Sequence, residues 1–268
     1  MQARMKKVWL SVFILAAALP VESPARGERE VVMQALGPEC GQEVIYRRTY
    51  EWGRKTETYG VHAETLDIRG VPAYQSISAY TDRVRRISMR RSDLTPLAAV
   101  EQWNAGPQLI HRLYLNGRAR VLRRELPYPL DETVAVPPDV HDPESFAFLL
   151  KGYPFTEQDT LAPINVLVAE PNPLFIRPRV FAVNIVPRGE ERVTVPAGTF
   201  DCYLLEMTLA GVLGYLVPNN SFWLLKADPH LIVKAEGGGE LIEFVAGAFP
   251  CDGVKHCLSR AEVPSLTP

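Results

Sequence analysis

Short segments of β-forming residues recur along most of the chain, and this succession constrains the fold more than any other feature. In the N-terminal half they are EVIYRRTYEW (43–52), TYGVHAETLDI (58–68), PAYQSISAYT (72–81) and RVRRISMRR (83–91). Glycine and proline fall at the breaks between them. The segment 109–126 has two alternating arms around Asn116-Gly117, which is the signature of a hairpin with a type I′ turn.

The C-terminal part of the chain repeats this pattern after residue 160. The segments are LAPINVLVA, RPRVFAVNIVP, EERVTVP, TFDCYLLEM, SFWLLKA, HLIVKAE and GELIEFV. Strands at such short and regular spacing indicate an antiparallel meander that is closed or strongly curved. We therefore predict a mainly β fold, a curved antiparallel sheet or half-barrel meander with one short helix packed against it.

The one helix is predicted at about 143–152, after a Pro-rich connection over 128–140. Asp142 can cap it, Pro143 suits its first position, and Gly152 ends it. Four apolar residues fall at helical spacing and form one face: Phe146, Leu149, Leu150 and Tyr153. A helix of this kind packs on a core or closes over a cavity as a lid. The pattern leaves both interpretations open.

The first 25 residues are predicted to be a secretory signal peptide. Three basic residues in MQARMKK precede an uncharged run from Val8 to Leu19, which is too short to span a bilayer comfortably. A membrane anchor kept on the mature protein is the alternative.

We expect one β-rich domain over 26–258, a disordered tail over 259–268, and no transmembrane span in the mature chain. The predicted location is the periplasm of a Gram-negative bacterium.

Charge is unevenly distributed although the formal net charge is only −2. Ten arginines stand between residues 82 and 125 against four acidic residues, whereas acidic residues outnumber basic ones ten to six from residue 188 onward. One zone of the molecule is therefore expected to favour anions. The small net charge and the predicted export disfavour nucleic acid as a partner.

Four cysteines remain after the predicted leader: Cys40, Cys202, Cys251 and Cys257. An even number in an exported chain indicates two disulfides, for which three pairings are possible. We favour Cys251–Cys257, which leaves Cys40–Cys202. A zinc site at Cys251, His256 and Cys257 is the alternative, but neither a CxxC nor an HxxxH pair is present. We expect no metal and no cofactor.

The stretch ERVTVPAGTFDCYLLEM (191–207) combines two strand arms with a turn at Pro196-Ala197-Gly198. Proline presets φ for the first turn position and glycine accepts a left-handed conformation, so we predict a three-residue hairpin with a glycine bulge. Nothing in Pro-Ala-Gly can abstract a proton or hold a metal. The stretch is therefore interpreted as a structural corner.

This stretch also carries a family resemblance, together with FWLLKADPHLIVKAE, GGGELIEFV and the upstream DPESFAFLLKGYPF. Over residues 142–245 the chain resembles the domain-of-unknown-function family numbered 3108, a group of exported bacterial proteins. The resemblance implies a half-barrel similar to lipoprotein carriers, in which a curved sheet is partly covered by a helix. The family has no agreed activity, so the resemblance transfers no catalytic residue.

Enzyme motifs are absent from the sequence. It contains no G-x-S-x-G, no H-E-x-x-H, no P-loop and no G-x-G-x-x-G. The five histidines are scattered, and Asp142, which could orient His141 as a base, is better placed as a helix cap. We predict a protein without a catalytic residue. A hydrolase assembled from distant residues is the least favoured alternative.

The candidate ligand-binding residues are an arginine strand and the apolar side chains near the helix: Arg83, Arg85, Arg91, Phe146, Leu150 and Trp223. Strand alternation places the three arginines on one face with Ile87 and Met89, where they could clamp phosphate or carboxylate. A solvated, salt-bridged outer face is the alternative. The apolar C-terminal strands line either a filled core or an acyl-sized cavity.

These features predict a periplasmic protein that binds or carries an amphipathic envelope molecule, such as a lipid or an acylated glycan. Apolar side chains of the concave face would hold the chain, and the arginines would meet an anionic head. The alternative is a protein-interaction module in envelope assembly, which would dock an envelope protein through a sheet edge or the arginine face.

Overall fold

The computed structural model describes residues 42–105, 109–124, 129–153, 155, 163–169, 177–211, 219–227 and 230–248. Within this part the chain is mainly β, with one sheet of 15 strands, one short helix and one 3₁₀ turn. The predicted signal peptide (1–25), the tail (259–268) and three of the cysteines (Cys40, Cys251 and Cys257) lie outside the described residues. None of the helices in the described part is long and apolar enough to cross a membrane.

The first eight strands form one meander. They are β1 (Gln42–Tyr50), β2 (Lys55–Ile68), β3 (Val71–Ala79), β4 (Arg83–Arg90), β5 (Pro96–Trp103), β6 (Leu109–Leu115), β7 (Arg118–Arg124) and β8 (Leu130–Ala135). The other seven are β9 (Val140–His141), β10 (Ile164–Val168), β11 (Arg179–Val195), β12 (Gly198–Leu209), β13 (Asn220–Leu225), β14 (Ile232–Gly237) and β15 (Glu240–Ala248).

The two meanders are joined at the middle of the sheet, where β1 pairs with β15. The spatial order runs from β8 back to β1, then from β15 back to β9. Every neighbouring pair is antiparallel except β9–β10, which are parallel and connected through the helix. The sheet is curved and open, so it is not a closed barrel. The predicted fold class, a curved antiparallel sheet with one short helix, is confirmed.

Local sequence signals fix the predicted hairpin between β6 and β7. Asn116 has φ +50° and Gly117 has φ +70°, the two positive values that a type I′ turn requires. Leu115 pairs directly with Arg118 across this turn. The predicted hairpin with its Asn-Gly turn is therefore confirmed.

The corner at Pro196 is also present, but its turn differs from the prediction. Val195 pairs with Gly198, so the loop has two residues rather than three. Gly198 begins β12 with φ +137° instead of forming a bulge after the turn. The tip is held by the Ala197 amide, which donates to the Phe244 carbonyl at 3.2 Å. A contact to a distant strand thus sets the turn, which local sequence could not reveal.

Three strands were not predicted. The segment PLAAVEQW forms β5, and β8 and the two-residue β9 lie within or at the end of the 128–140 segment interpreted as a connection. The two longer strands lack the expected composition, since β5 is rich in alanine and β8 carries Asp131 and Glu132 between prolines. Their pairing with neighbouring strands outweighs their weak intrinsic β propensity.

The helical segment has the predicted extent but begins as a tighter turn. A 3₁₀ turn (Pro143–Ser145) leads into α1 (Phe146–Lys151), and Gly152 ends it. The Glu144 amide donates to Asp142 Oδ1 at 3.1 Å, which confirms Asp142 as the cap of the 3₁₀ turn. Because this segment connects β9 to β10, it lies across the sheet and brings its apolar residues onto one end of the core.

Three apolar clusters hold the sheet and helix together. The first packs Phe148, Leu149 and Leu150 of α1 against strands from both meanders. The second lies under the β11–β12 hairpin and contains Trp223. The third packs β6 and β7 against β9 and β10, so the two ends of the open sheet meet through side chains rather than backbone hydrogen bonds. Each fully buried large side chain contributes about 1.5–3 kcal/mol relative to exposure.

Candidate functional site

A cavity of about 210 Å³ lies between the helical segment and the middle of the sheet. Its walls are mostly apolar, and they include Tyr46, Tyr59, Phe146, Phe148, Ala235 and Ile242. A second cavity of about 120 Å³ adjoins it and shares the side chains of Phe222, Ala235 and Ile242. The two spaces together extend from beneath α1 toward the glycine turn between β14 and β15.

Stacked tyrosines form one wall of the larger cavity. Tyr46 and Tyr59 stack with ring centroids 5.7 Å apart, and Tyr59 stacks on Tyr80 at 4.5 Å. Burial raises the pKa of all three phenols, and that of Tyr80 to about 12. The phenols therefore stay protonated at neutral pH, so this wall is uncharged.

Arg85 ties the sheet to the helical segment at the edge of the cavity. Its Nε lies 2.9 Å from Glu101 Oε1, and its Nη1 lies 3.0 Å from Glu144 Oε1 in the 3₁₀ turn. Desolvation opposes the charge of Arg85, but the carboxylates of Glu144 and Glu101 outweigh it and raise its pKa. Arg85 therefore remains a cation, and Glu144 already occupies one side of its guanidinium.

Lys151 is the second cation at the cavity. It is the last residue of α1 and is only 8% exposed. Its Nζ lies 5.3 Å from the centroid of the Phe148 ring. Burial lowers the pKa of this amine to about 8. A cation that is partly desolvated and lines an apolar cavity would gain from the approach of an anion.

Of the six predicted ligand-binding residues, Arg85 and Phe146 line the cavity. Arg83 lies beside it, with Nε 3.0 Å from Glu101 Oε1 and its guanidinium 4.1 Å from the Tyr80 ring centroid. Leu150 belongs to α1 and is buried in the first cluster, where the helix packs on the sheet. The sheet thus brings the first two arginines of the predicted strand together with Phe146.

The other two predicted residues are held elsewhere. Trp223 belongs to the second cluster, where Nε1 donates to Glu191 Oε2 at 2.6 Å and Lys234 Nζ lies 4.3 Å over its ring. Its neighbour Phe222 points to the opposite face and lines the cavity. Arg91 follows the end of β4, is exposed, and donates to the Tyr74 hydroxyl at 3.2 Å.

The arginine face of β4 is salt-bridged as in the alternative prediction, but it faces inward. Arg83 is buried, as are Ile87 and Met89, whereas Arg86 on the opposite side is exposed. Three acidic residues from other elements neutralise this face: Glu57, Glu101 and Glu144. The picture of a solvated outer face was wrong, because the sheet curls around this side of β4.

Sequence reasoning missed the cavity's tyrosines and Lys151. The tyrosines lie on β1, on β2 and just after β3, so only strand pairing brings them together. A signal for Lys151 was present, since it follows Ala147 and Phe148 by four and three residues and therefore shares a helix face with them. The predicted apolar face drew attention to the other side of the helix.

The cysteine and histidine positions bear on the remaining predictions. Cys202 carries a free thiol rather than the predicted disulfide to Cys40. The thiol is fully buried, and burial raises its pKa to about 11. The predicted Cys251–Cys257 pair lies outside the described residues. His141 is buried, and desolvation lowers its pKa. Asp142 accepts from Arg112 and Tyr114 as well as from the Glu144 amide. Within the described ranges no group of three or more His, Cys, Asp or Glu side chains could hold a metal ion.

Comparison with known proteins finds no relative for this chain. No model of a known protein family matches the chain, and no curated protein or solved structure matches it. The resemblance to the domain-of-unknown-function family 3108 remains a prediction from its motifs.

Proposed function

We propose that the protein binds an amphipathic molecule in the cavity beneath α1 and acts as a carrier rather than a catalyst. The observation that supports this most directly is an apolar cavity of about 210 Å³ that also exposes Lys151 and the Arg85–Glu144 ion pair. An apolar space with a few placed polar groups is the usual composition of a small-molecule site. The carrier would work in the periplasm, as the leader-like segment predicts.

The size of the cavity indicates which part of a ligand it holds. A dry protein cavity of about 150 Å³ accommodates benzene, while sites for drug-sized ligands are about 300–1,000 Å³. At about 210 Å³ the larger cavity suits a ring or a short stretch of acyl chain. The adjoining cavity of about 120 Å³ offers a path for a longer chain past Phe222 and Ala235. The polar head would remain near Lys151.

Lys151 makes the proposed binding dependent on pH. We expect octanoate to bind about tenfold more weakly above pH 8 than below it, because the Lys151 amine loses its proton near pH 8 and an ionic hydrogen bond is lost. Octanol, with the same chain and no charge, should bind equally on both sides. Isothermal titration calorimetry of both ligands measures this. Equal pH dependence for the two ligands would contradict the role of Lys151.

Filling the cavity should weaken ligand binding without disturbing the sheet. Ala235 lines both cavities and is only partly buried. We expect Ala235→Phe to weaken binding of octanoate and of octanol at least tenfold, since the ring occupies the space that the chain needs. Ala98→Phe, on the outer face of β5, is the matched control. Titration of both variants decides, and unchanged binding in Ala235→Phe would place the ligand elsewhere.

The natural ligand can be sought in the protein as the cell makes it. The full chain would be produced in a Gram-negative host, purified from the envelope without denaturant and weighed by native mass spectrometry, with solvent extraction alongside. A stoichiometric adduct that extracts into organic solvent, and is missing from Ala235→Phe, supports a carrier and identifies its cargo class. A mass without adduct that stays unchanged after incubation with envelope lipid would overturn the proposal.

A further inference from the structure

The outer face of β4–β8, on the other side of the sheet from the buried arginines, carries arginine and leucine side by side. Directly paired residues of an antiparallel sheet point to the same side. One row across the five strands consists of Arg86, Val100, His111, Leu122 and Asp131. In the next rows Leu113 lies opposite Arg120, and Leu115 lies opposite Arg118. This set, with Arg124 opposite Leu109, is called the outer Arg–Leu face.

The leucines of this face are exposed because the intervening positions fill the core. Arg112 and Tyr114 of β6 point inward and are buried, so Leu113 and Leu115 must point outward. They are 44% and 65% exposed, and they are two of the three large apolar side chains that stand out to solvent in the described part. Neighbouring exposed leucines mark an interaction surface more often than isolated ones do.

The arginines of this face are largely uncompensated. Arg86, Arg118 and Arg124 are exposed, and none of them makes an ion pair with a carboxylate among the residues that the structure describes. Asp131 compensates part of this charge, since Arg120 Nε and Nη2 lie 2.8 and 2.7 Å from its oxygens, and Arg120 and then Arg124 lower the pKa of its carboxyl. The face therefore presents a positive charge, in contrast to the buried arginines of β4, which Glu57, Glu101 and Glu144 neutralise.

We propose that the outer Arg–Leu face docks on an anionic membrane surface. The guanidinium groups suit the phosphates of lipid headgroups, which they bind with two parallel hydrogen bonds. Leu113 and Leu115 stand between the arginines and would enter the boundary between headgroups and acyl chains. An acidic protein surface would use the same charges but would leave the adjacent leucines without an apolar environment. The combination therefore favours lipid over protein.

Vesicle co-sedimentation tests this proposal with the full chain. The protein should sediment with vesicles of phosphatidylglycerol mixed with phosphatidylcholine and stay in solution with phosphatidylcholine alone. The variant Arg86→Gln/Arg118→Gln/Arg124→Gln should lose about a hundredfold in affinity, at roughly fivefold per arginine near an anionic surface. The control Arg54→Gln/Arg177→Gln/Arg192→Gln removes the same charge from exposed positions elsewhere and should bind like the wild type.

A second variant separates membrane docking from simple charge attraction. Leu113→Ser/Leu115→Ser keeps every arginine and should weaken vesicle binding about tenfold, because less apolar surface is buried.

Circular dichroism establishes that each variant keeps the β fold. Absence of sedimentation with anionic vesicles, or equal loss in the two arginine variants, would overturn the proposal. If the protein instead bound polyglutamate through these arginines, an acidic protein would replace the membrane as partner. Because Ala235→Phe leaves this face intact, failure here and failure of cavity binding are distinguishable.

Discussion

Replacing Asp142 with alanine is expected to lower the free energy of unfolding by about 4 kcal/mol. Asp142 is fully buried, and its Oδ2 lies 2.7 Å from both Arg112 Nε and the Tyr114 hydroxyl. Its Oδ1 accepts from Arg112 Nη2 and from the Glu144 amide, both at 3.1 Å. The substitution leaves the 98% buried Arg112 without this carboxylate and removes the cap of the 3₁₀ turn. It therefore loosens α1 and the contact between the two ends of the sheet together.

Urea denaturation followed by circular dichroism measures this loss, with the slope of the transition checking that the folded state stays compact. Asp142→Ser keeps a capping oxygen and should lose less than alanine, by about 1 kcal/mol. Arg112→Met/Asp142→Ser should recover much of the remainder, because the buried charge is gone. Asp131→Asn, which breaks the exposed pair with Arg120, is the control and should leave the midpoint unchanged. A small effect of Asp142→Ala would show that the network does not hold the helix.

The Asp142 cap illustrates what the sequence could predict. Its position before proline, with a glycine after the helix, is a local pattern, and so is the Asn116-Gly117 turn. Such patterns depend on backbone conformations within four or five residues. The same reasoning could not find Arg112 as the partner of Asp142, because 30 residues separate them. Nor could it find β8, whose strand conformation depends on pairing with β7.

The candidate site shows the same division between local and long-range information. Alternation along RVRRISMRR correctly grouped Arg83 and Arg85 with Ile87. Which side of the strand lies inside depends on how a sheet of fifteen strands curls, and that depends on contacts across the molecule. Arg83 and Arg85, predicted to clamp an anion or, in the alternative, to lie on a solvated outer face, therefore lie inside and are neutralised by carboxylates. The exposed arginines of the outer Arg–Leu face are Arg86, Arg118, Arg120 and Arg124. The uneven charge distribution predicted a zone that favours anions but could not assign it to these side chains.

Replacing Lys151 with methionine should stabilise the protein by about 3 kcal/mol at neutral pH. The two side chains are similar in length, and methionine adapts to irregular apolar space. Burial lowers the pKa of Lys151 from 10.5 to about 8, which means that the folded state disfavours the ammonium form. Below pH 8 both states carry the proton, so the folded wild type bears the cost that its lowered pKa expresses. The variant does not bear it.

The pH dependence of this difference identifies its cause. Between pH 8 and 10.5 the unfolded wild type binds a proton that the folded state has released, so its stability rises with pH relative to the variant. The advantage of Lys151→Met should therefore be constant below pH 8, shrink above it and be nearly gone by pH 10.5. Urea denaturation of both proteins across this range measures it, and taking the difference cancels the other titrating groups. Lys226→Met, at an exposed lysine paired with Glu190, is the control and should show no such trend.

A Lys151→Met difference that stays constant with pH would mean that packing, not a buried charge, distinguishes the two proteins. Saturating octanoate should reduce the advantage of the variant below pH 8, since a bound carboxylate compensates the buried ammonium and favours the lysine that the proposed carrier needs.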